Sequence, residues 1–282
     1  MGLLWDRSAA VTLGPKIGQR TKINNLRIAF EIEKTSENNA NTAKISIYNM
    51  SQKTWNDFIT ATDRVILLEA GYGNNLDTLF YGDVPQKAKC SYLYSGTDTI
   101  AMIEPGDGLL SLIDGKLEKS YEENFSIKLI IKDVLKSFQD AGGVVIEKAL
   151  EYIKSGNVPD KKAQAGFVAS GSAKTIMDKF MSSLGLEWSI QDNEVQIIPI
   201  NGNTEEEVIF LTPQTGLIGS PIKREEGLEF TALIQTKIKP GQLVLIESRD
   251  INGTYRVRKA KFIGDTHDQP WYVTAEAKEK AS

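Results

Sequence analysis

Residues 26–50 read LRIAFEIEKTSENNANTAKISIYNM, and this stretch decides the fold class. Leu26, Ile28, Phe30 and Ile32 alternate with Arg27, Ala29, Glu31 and Glu33. That period of two turns one face of a strand toward a core and the other toward water. After the polar run TSENNANT the alternation resumes, with Ala43, Ile45 and Ile47 on one face and Lys44, Ser46 and Tyr48 on the other. Two such runs parted by an Asn-rich segment predict an antiparallel hairpin.

C-terminal to the hairpin, Ser51 is placed to cap a short helix carrying Trp55, Phe58 and Ile59. The apolar run at 65–68, then LDTLFYGDV and SGTDTIAMIE, predict further strands, with GYGNN as a turn. The middle of the chain changes period. Ile127, Ile130, Ile131, Val134, Leu135 and Phe138 recur at helical spacing after Ser126, and Gly142-Gly143 ends the run. Ser172 opens a second helix bearing Ile176, Phe180 and Leu184, closed by Gly185. Leu186, Trp188 and Ile190 then alternate, QDNE turns, and Val195 and Ile197 return as a second strand. Between the helices, KSGNVPDKKAQAG reads as an exposed loop. From about residue 208 the chain is β again, in EFTALIQ, LVLIES, TYRVRKAKFIG and PWYVTAEA.

The two β regions echo each other. VILLE at 65–69 is followed by FYGD at 80–83, and LVLIE at 243–247 by FIGD at 262–265, each with another strand behind it. A duplicated β-barrel interrupted by an α+β insert explains this order. The expected domains are 1–115, a first barrel with an N-terminal arm; 116–203, the insert; and 204–282, a second barrel.

Composition narrows the function. The chain has 282 residues, 41% hydrophobic and 25% charged, enough for about two or three packed domains. Its 33 basic against 37 acidic residues give a formal charge of -4, with no dense basic run, so nucleic-acid binding is not expected. The opening MGLLWDRSAAVTLG lacks the charge and apolar pattern of a secretory signal, and no run approaches the ~20 apolar residues that span a bilayer. No membrane anchor is expected, and folding in a cytosol is.

Catalytic chemistry has few candidates. His267 is the single histidine and Cys90 the single cysteine, too few for a multi-histidine metal site, a thiolate cluster or an evident triad. GFVASGSAKT at 166–175 has the glycine spacing of a phosphate loop, but Ser172 and Ala173 separate the second glycine from Lys174, so it reads as a loop and helix cap. Asp192 with Glu194, and the run of glutamates at 205–207, are the carboxylates nearest to a hydrolase pair, and both read as solvated turn or linker residues. Trp5, Trp55, Trp188 and Trp271 have no regular spacing, and no stacking platform follows from them. No catalytic, cofactor-binding or metal-binding residue is assigned, and no cofactor is expected.

LRIAFEIEKTSENNANTAKISIYNMS at 26–51 resembles the opening hairpin of baseplate hub proteins of Mu-like and related contractile-tailed phages. TGLIGSPIKREEGLEFTALIQTKIKPGQLVLIES at 215–248 resembles the start of the C-terminal barrel of the same family. The resemblance implies two tube-like β-barrels plus a small α+β domain. It implies a homotrimer on the tail axis, an adaptor between a sixfold tail tube and a threefold central spike. The implied partners are the spike, the tube protein or its initiator, and other baseplate proteins, and the implied location is the virion, after assembly in the host cytoplasm. The rival reading is a tail-associated peptidoglycan hydrolase or glycan-binding component, or a tube initiator.

Overall fold

A computed structural model describes residues 6–86, 88–204, 206–225 and 227–280. Along the chain the elements are β1 (Arg7–Pro15), β2 (Thr21–Ile23), β3 (Ile28–Thr35), β4 (Thr42–Tyr48), α1 (Gln52–Thr60), β5 (Arg64–Tyr72), β6 (Asn75–Val84), β7 (Cys90–Ser95) and β8 (Asp98–Ile103). The middle carries α2 (Leu109–Asp114), β9 (Lys116–Tyr121), α3 (Ile127–Gly142), α4 (Glu147–Lys154), β10 (Phe167–Ser172), α5 (Ala173–Ser183), β11 (Leu186–Gln191) and β12 (Glu194–Pro199). The chain ends with β13 (Ile209–Leu211), β14 (Leu217–Arg224), β15 (Gly227–Leu233), β16 (Leu243–Glu247), β17 (Asn252–Asp265) and β18 (Trp271–Glu279). The fold is mainly β, with five helices among the described residues.

Contacts divide the chain into two units. One runs through Thr35, then Asn41–Asp107, and resumes at Asn203; the other comprises Gly108–Gly202 with Ser36–Ala40. In the first unit β3 and β4 pair antiparallel, Ile28 opposite Ile47 and Ile32 opposite Ala43. Ile28, Phe30, Ile32, Ala43, Ile45 and Ile47 are all buried, so the alternation faces inward as the pattern requires. Ser51 caps α1, its hydroxyl accepting the N–H of Thr54 at 3.1 Å, and Trp55 and Phe58 turn into the same core.

Strands from both ends of the sequence share this unit. β17 pairs antiparallel with β3, and Phe262 packs in one apolar cluster with Phe30, Phe80 and Val273. The strand pairing bears on two expectations. The N-terminal arm is a strand: β1 pairs with β5 along its whole length in a four-stranded sheet ordered β2-β1-β5-β6. Its Ala9, Ala10, Val11 and Leu13 are all buried, which erases the alternation that would have marked it. Closed barrels are the second: among the described strands no pairing closes either β region on itself.

The echo is also only partly structural. VILLE pairs directly with FYGD, Val65 opposite Asp83 and Leu68 opposite Phe80. LVLIE instead pairs with the start of β17, Leu243 opposite Arg256, while FIGD lies at the far end of that strand, opposite β3 and β18.

The second unit has its own core. Ile130, Val134 and Phe138 of α3 and Ile176 and Phe180 of α5 cluster with Trp188 and Ile197 of the β11–β12 hairpin. Asp192 and Asn193 turn that hairpin with φ of 55° and 68°, the two left-handed residues of a tight turn whose twist matches the strands. Gly143 closes α3 with φ of 64°, where a Cβ would be strained. Ser126 and Ser172 precede their helices but make no capping bond; Ser126 donates to Asp160 at 3.0 Å instead. Residues 167–172, read as loop, form β10, which pairs with β9 and leads into α5. The pattern gives no sign of α2, α4 or β9, elements of six to eight residues, too short for a period to stand out.

Candidate assembly interface

Eight strands of the first unit form one continuous antiparallel path, β14-β15-β18-β17-β3-β4-β8-β7, and β13 and β16 attach beside it. Four come from each β region. In each quartet the first strand in sequence lies next to the second, the second next to the fourth, and the fourth next to the third, giving β3-β4-β8-β7 and β14-β15-β18-β17. The connectivity of one quartet is thus repeated in the other, although the echoed segments VILLE and FYGD lie on β5 and β6, outside both quartets. The quartets meet where β17, third strand of one, pairs with β3, first strand of the other.

One face of the path packs on the core and the other is polar. Across the β3–β17 joint, Glu31 pairs with Lys261 and Glu33 with Lys259, both at 2.5 Å. Thr231 faces Thr274 at 3.3 Å, and Arg224 reaches Glu229 at 2.9 Å. Such cross-strand pairs fix the register of a sheet. Exposed ion pairs of this kind contribute only ~0–1 kcal/mol each.

The joint has a partly buried pin. Arg27 donates to Asp265 through Nε at 3.1 Å and Nη2 at 2.7 Å, and the N–H groups of His267 and Asp268 donate to the same carboxylate. Burial pushes the Asp265 carboxyl up. The Arg27 hydrogen bond, the His267 N–H, the Arg27 charge and the Asp268 N–H outweigh that and hold it below its ordinary value. A group depressed in the folded state stabilises above its unfolded pKa of about 3.9 and loses that contribution as pH falls through the folded value. Acid melts of the protein should therefore show a stability decline below about pH 4 that is shallower in Asp265→Asn. Parallel pH profiles for the two would remove the pin from this role.

At the two ends of the path the strands are open on one side. Among the described residues β7 pairs only with β8, and β14 only with β15. The exposed large apolar side chains of the eight strands are Leu93 and Tyr94 on β7 and Ile218 and Ile222 on β14. None lies on an inner strand. Leu93 sits opposite Ile100, while Ile218 and Ile222 sit opposite Thr231 and Glu229, which places all three on the polar face. Burial, not residue type, marks them; in sequence they look like any core aliphatic.

The candidate chemistry does not converge. His267 lies in the exposed β17–β18 turn, its Nδ1 2.9 Å from the Thr266 hydroxyl. Cys90 is half-buried at the start of β7, and burial pushes its thiol up. Glu194 pairs with Lys148 at 2.7 Å at the mouth of the β11–β12 turn that holds Asp192. Lys174 pairs with Asp178 at 3.0 Å, and Glu206 with Lys239 at 3.1 Å. Trp55, Trp188 and Trp271 are core residues. Trp5 and Glu205 lie outside the described residues. Among the described residues no three His, Cys, Asp or Glu side chains are grouped to hold a metal, and no helix is long and apolar enough to cross a membrane.

The fold and this open sheet can be set beside known proteins. Residues 166–277 match the model of a family described as baseplate hub gp41. The 43 kDa tail protein of prophage MuSo2 from Shewanella oneidensis is 11% identical, with a TM-score of 0.62 over 97% of this chain and 99% of that one. A tail protein from Neisseria meningitidis is 8% identical, with a TM-score of 0.60 over 98% and 97%. The E. coli c3393 protein is described as a type VI secretion component similar in structure to the T4 tail proteins gp27 and gp5. It is 12% identical, with a TM-score of 0.63 over 96% of this chain and 77% of that one. No curated protein matches the sequence. The resemblance to phage baseplate hub proteins, read first from two β segments, thus stands on a family match across residues 166–277 and on a tail-protein fold across nearly the whole chain.

Proposed function

We propose that the chain is the structural hub of a contractile-tail baseplate, a homotrimeric adaptor joining a sixfold tail tube to a threefold central spike, without catalysis of its own. In this proposal residues 1–115 and 204–282 supply the two tube-like modules and 116–203 the insert. The repeated connectivity of the two quartets carries the reading. One chain then holds two like modules, and three chains offer six quasi-equivalent ones to a sixfold ring. The family match and the tail-protein fold support the same assignment. So does the placement of exposed apolar side chains on the outermost strands, because a chain working alone would leave them in water.

Such an interface is obligate and large, of order 2,000 Å² or more in total. Light scattering on the purified chain, alone and with its spike, is expected to give the mass of three copies. Imaging of the particle should place them on the tail axis. A monomer under both conditions, or a position off the axis, would overturn the proposal.

A further inference from the structure

We infer that the ridge Lys128, Lys132, Lys136 and Asp140 on α3 docks an acidic helix of another baseplate protein. That helix would set carboxylates against the three lysines and a basic residue against Asp140. The inference rests on the hub reading and names a partner surface within it.

On α3 the charges break rules that the chain obeys elsewhere. The four residues stand four apart and so follow one i±4 ridge of the helix, about 18 Å long. Lys132, Lys136 and Asp140 are exposed and Lys128 is half-buried. None of the four has a hydrogen-bond or ion-pair partner among the described residues. Lysines on two other helices are matched at i,i+4, Lys53 with Asp57 at 2.6 Å and Lys174 with Asp178 at 3.0 Å. Along α3 the i,i+4 neighbour of a lysine is twice another lysine, and like charges at that spacing destabilise a helix. The helix dipole is opposed as well. Lys128 stands in a first turn with no acidic residue, and Asp140 in a last turn with no basic one. Asp160, near the N-terminus of α3, accepts from Ser126 at 3.0 Å and does not pair with Lys128. Carboxylates laid along the ridge by a partner relieve both penalties.

The sign change at Asp140 selects a polypeptide over a nucleic acid. A phosphate backbone carries one charge throughout and is repelled by Asp140, whereas a helix can present three acidic residues and then a basic one at the same spacing. Leu129, 46% exposed and close to Lys128 and Lys132 on the helix, adds an apolar contact but no ring on which a base could stack. Ridges of this kind seat in the groove of a second helix.

Carbodiimide crosslinking tests the docking, because it joins a lysine amine to a touching carboxylate as an amide, the lost water going to the carbodiimide. In purified particles, peptide mapping should find Lys132 or Lys136 joined to an Asp or Glu of a different protein. Lys119–Asp133, 2.8 Å apart, is the internal positive control. Internal crosslinks with none from the ridge would overturn the docking and leave the hub reading standing, as would a crosslink from the ridge to a second copy of this chain. Particles that lack the chain would overturn both.

Lys132→Glu gives a second measurement. It sets a carboxylate between two lysines, so the isolated chain should melt a few degrees higher. Particle yield should nevertheless fall about tenfold or more, since the reversed charge repels the partner. Lys53→Glu, the same change of charge on α1, should leave the yield unchanged. An unchanged or lower melting point, normal yield from Lys132→Glu, or equal losses from both variants would overturn the inference. A gel shift of duplex DNA that Lys132→Glu abolishes would overturn it too, by assigning the ridge to nucleic acid.

Discussion

Trp188→Ala is expected to destabilise the α+β unit by about 3–5 kcal/mol, the cost of emptying a fully buried aromatic site. Trp188 is 2% exposed, and its ring stacks on Phe138 with centroids 5.3 Å apart. Its Nε1 donates to Asp178 Oδ1 at 2.9 Å. Asp178 also accepts from Asn38 at 2.7 Å and pairs with Lys174 at 3.0 Å, so the indole holds a carboxylate that organises α5 and the tip of the β3–β4 loop. Removing it opens a cavity beside Phe138 and deprives that carboxylate of one donor. Because the protein has two units, denaturant unfolding should be followed with probes of each. The transition of the insert should shift while that of the β unit holds. A loss below about 1 kcal/mol would mean the site collapses around the missing ring and the indole is not central to this core.

Gly264→Val should be the most damaging small change in the β unit. Gly264 sits at the β3–β17 joint, opposite Phe30 on one side and Trp271 on the other. A Cβ there would fall 2.3 Å from Phe30 Cζ and 2.8 Å from its Cε atoms. Phe30 cannot step aside, because it is buried and its ring meets Trp271 edge-on at 5.6 Å. Overpacking of this kind costs about 1–3 kcal/mol or more, and two added methyl groups place valine at the upper end. Thermal melting should show a fall of several degrees for the β-unit transition. If the valine variant melts with the unaltered protein, the strands separate more easily than this packing allows.

How much of this was legible in the sequence depended on how each element is buried. β3, β4 and β15 each bury one face, so their alternation was plain; β15 alternates at every position of GLEFTAL. β1 buries residues on both faces and β7 buries none, and in either case the period of two vanishes. α3 and α5 have long apolar stripes and were read correctly, whereas α4 has eight residues and α2 six, too few for a helical period to stand out. The candidate interface was not legible at all. Leu93 and Ile222 are ordinary aliphatics until pairing shows that they fall on outermost strands. Duplication could be suspected from VILLE and LVLIE, yet FYGD and FIGD were matched by composition where connectivity matches different segments.

The β3–β17 joint also dictates an order of events as the chain is made. Arg27 and Asp265, which pin it, stand 238 positions apart, so this contact closes a very long loop and must wait for the last strands to leave the ribosome. Nearly all of the α+β unit lies within Gly108–Gly202 and is complete well before then. It can condense while β3 and β4 still expose an unfilled edge. The interval between the two is the period in which the nascent chain is most open to wrong pairing, and slower synthesis of the C-terminal quarter would lengthen it.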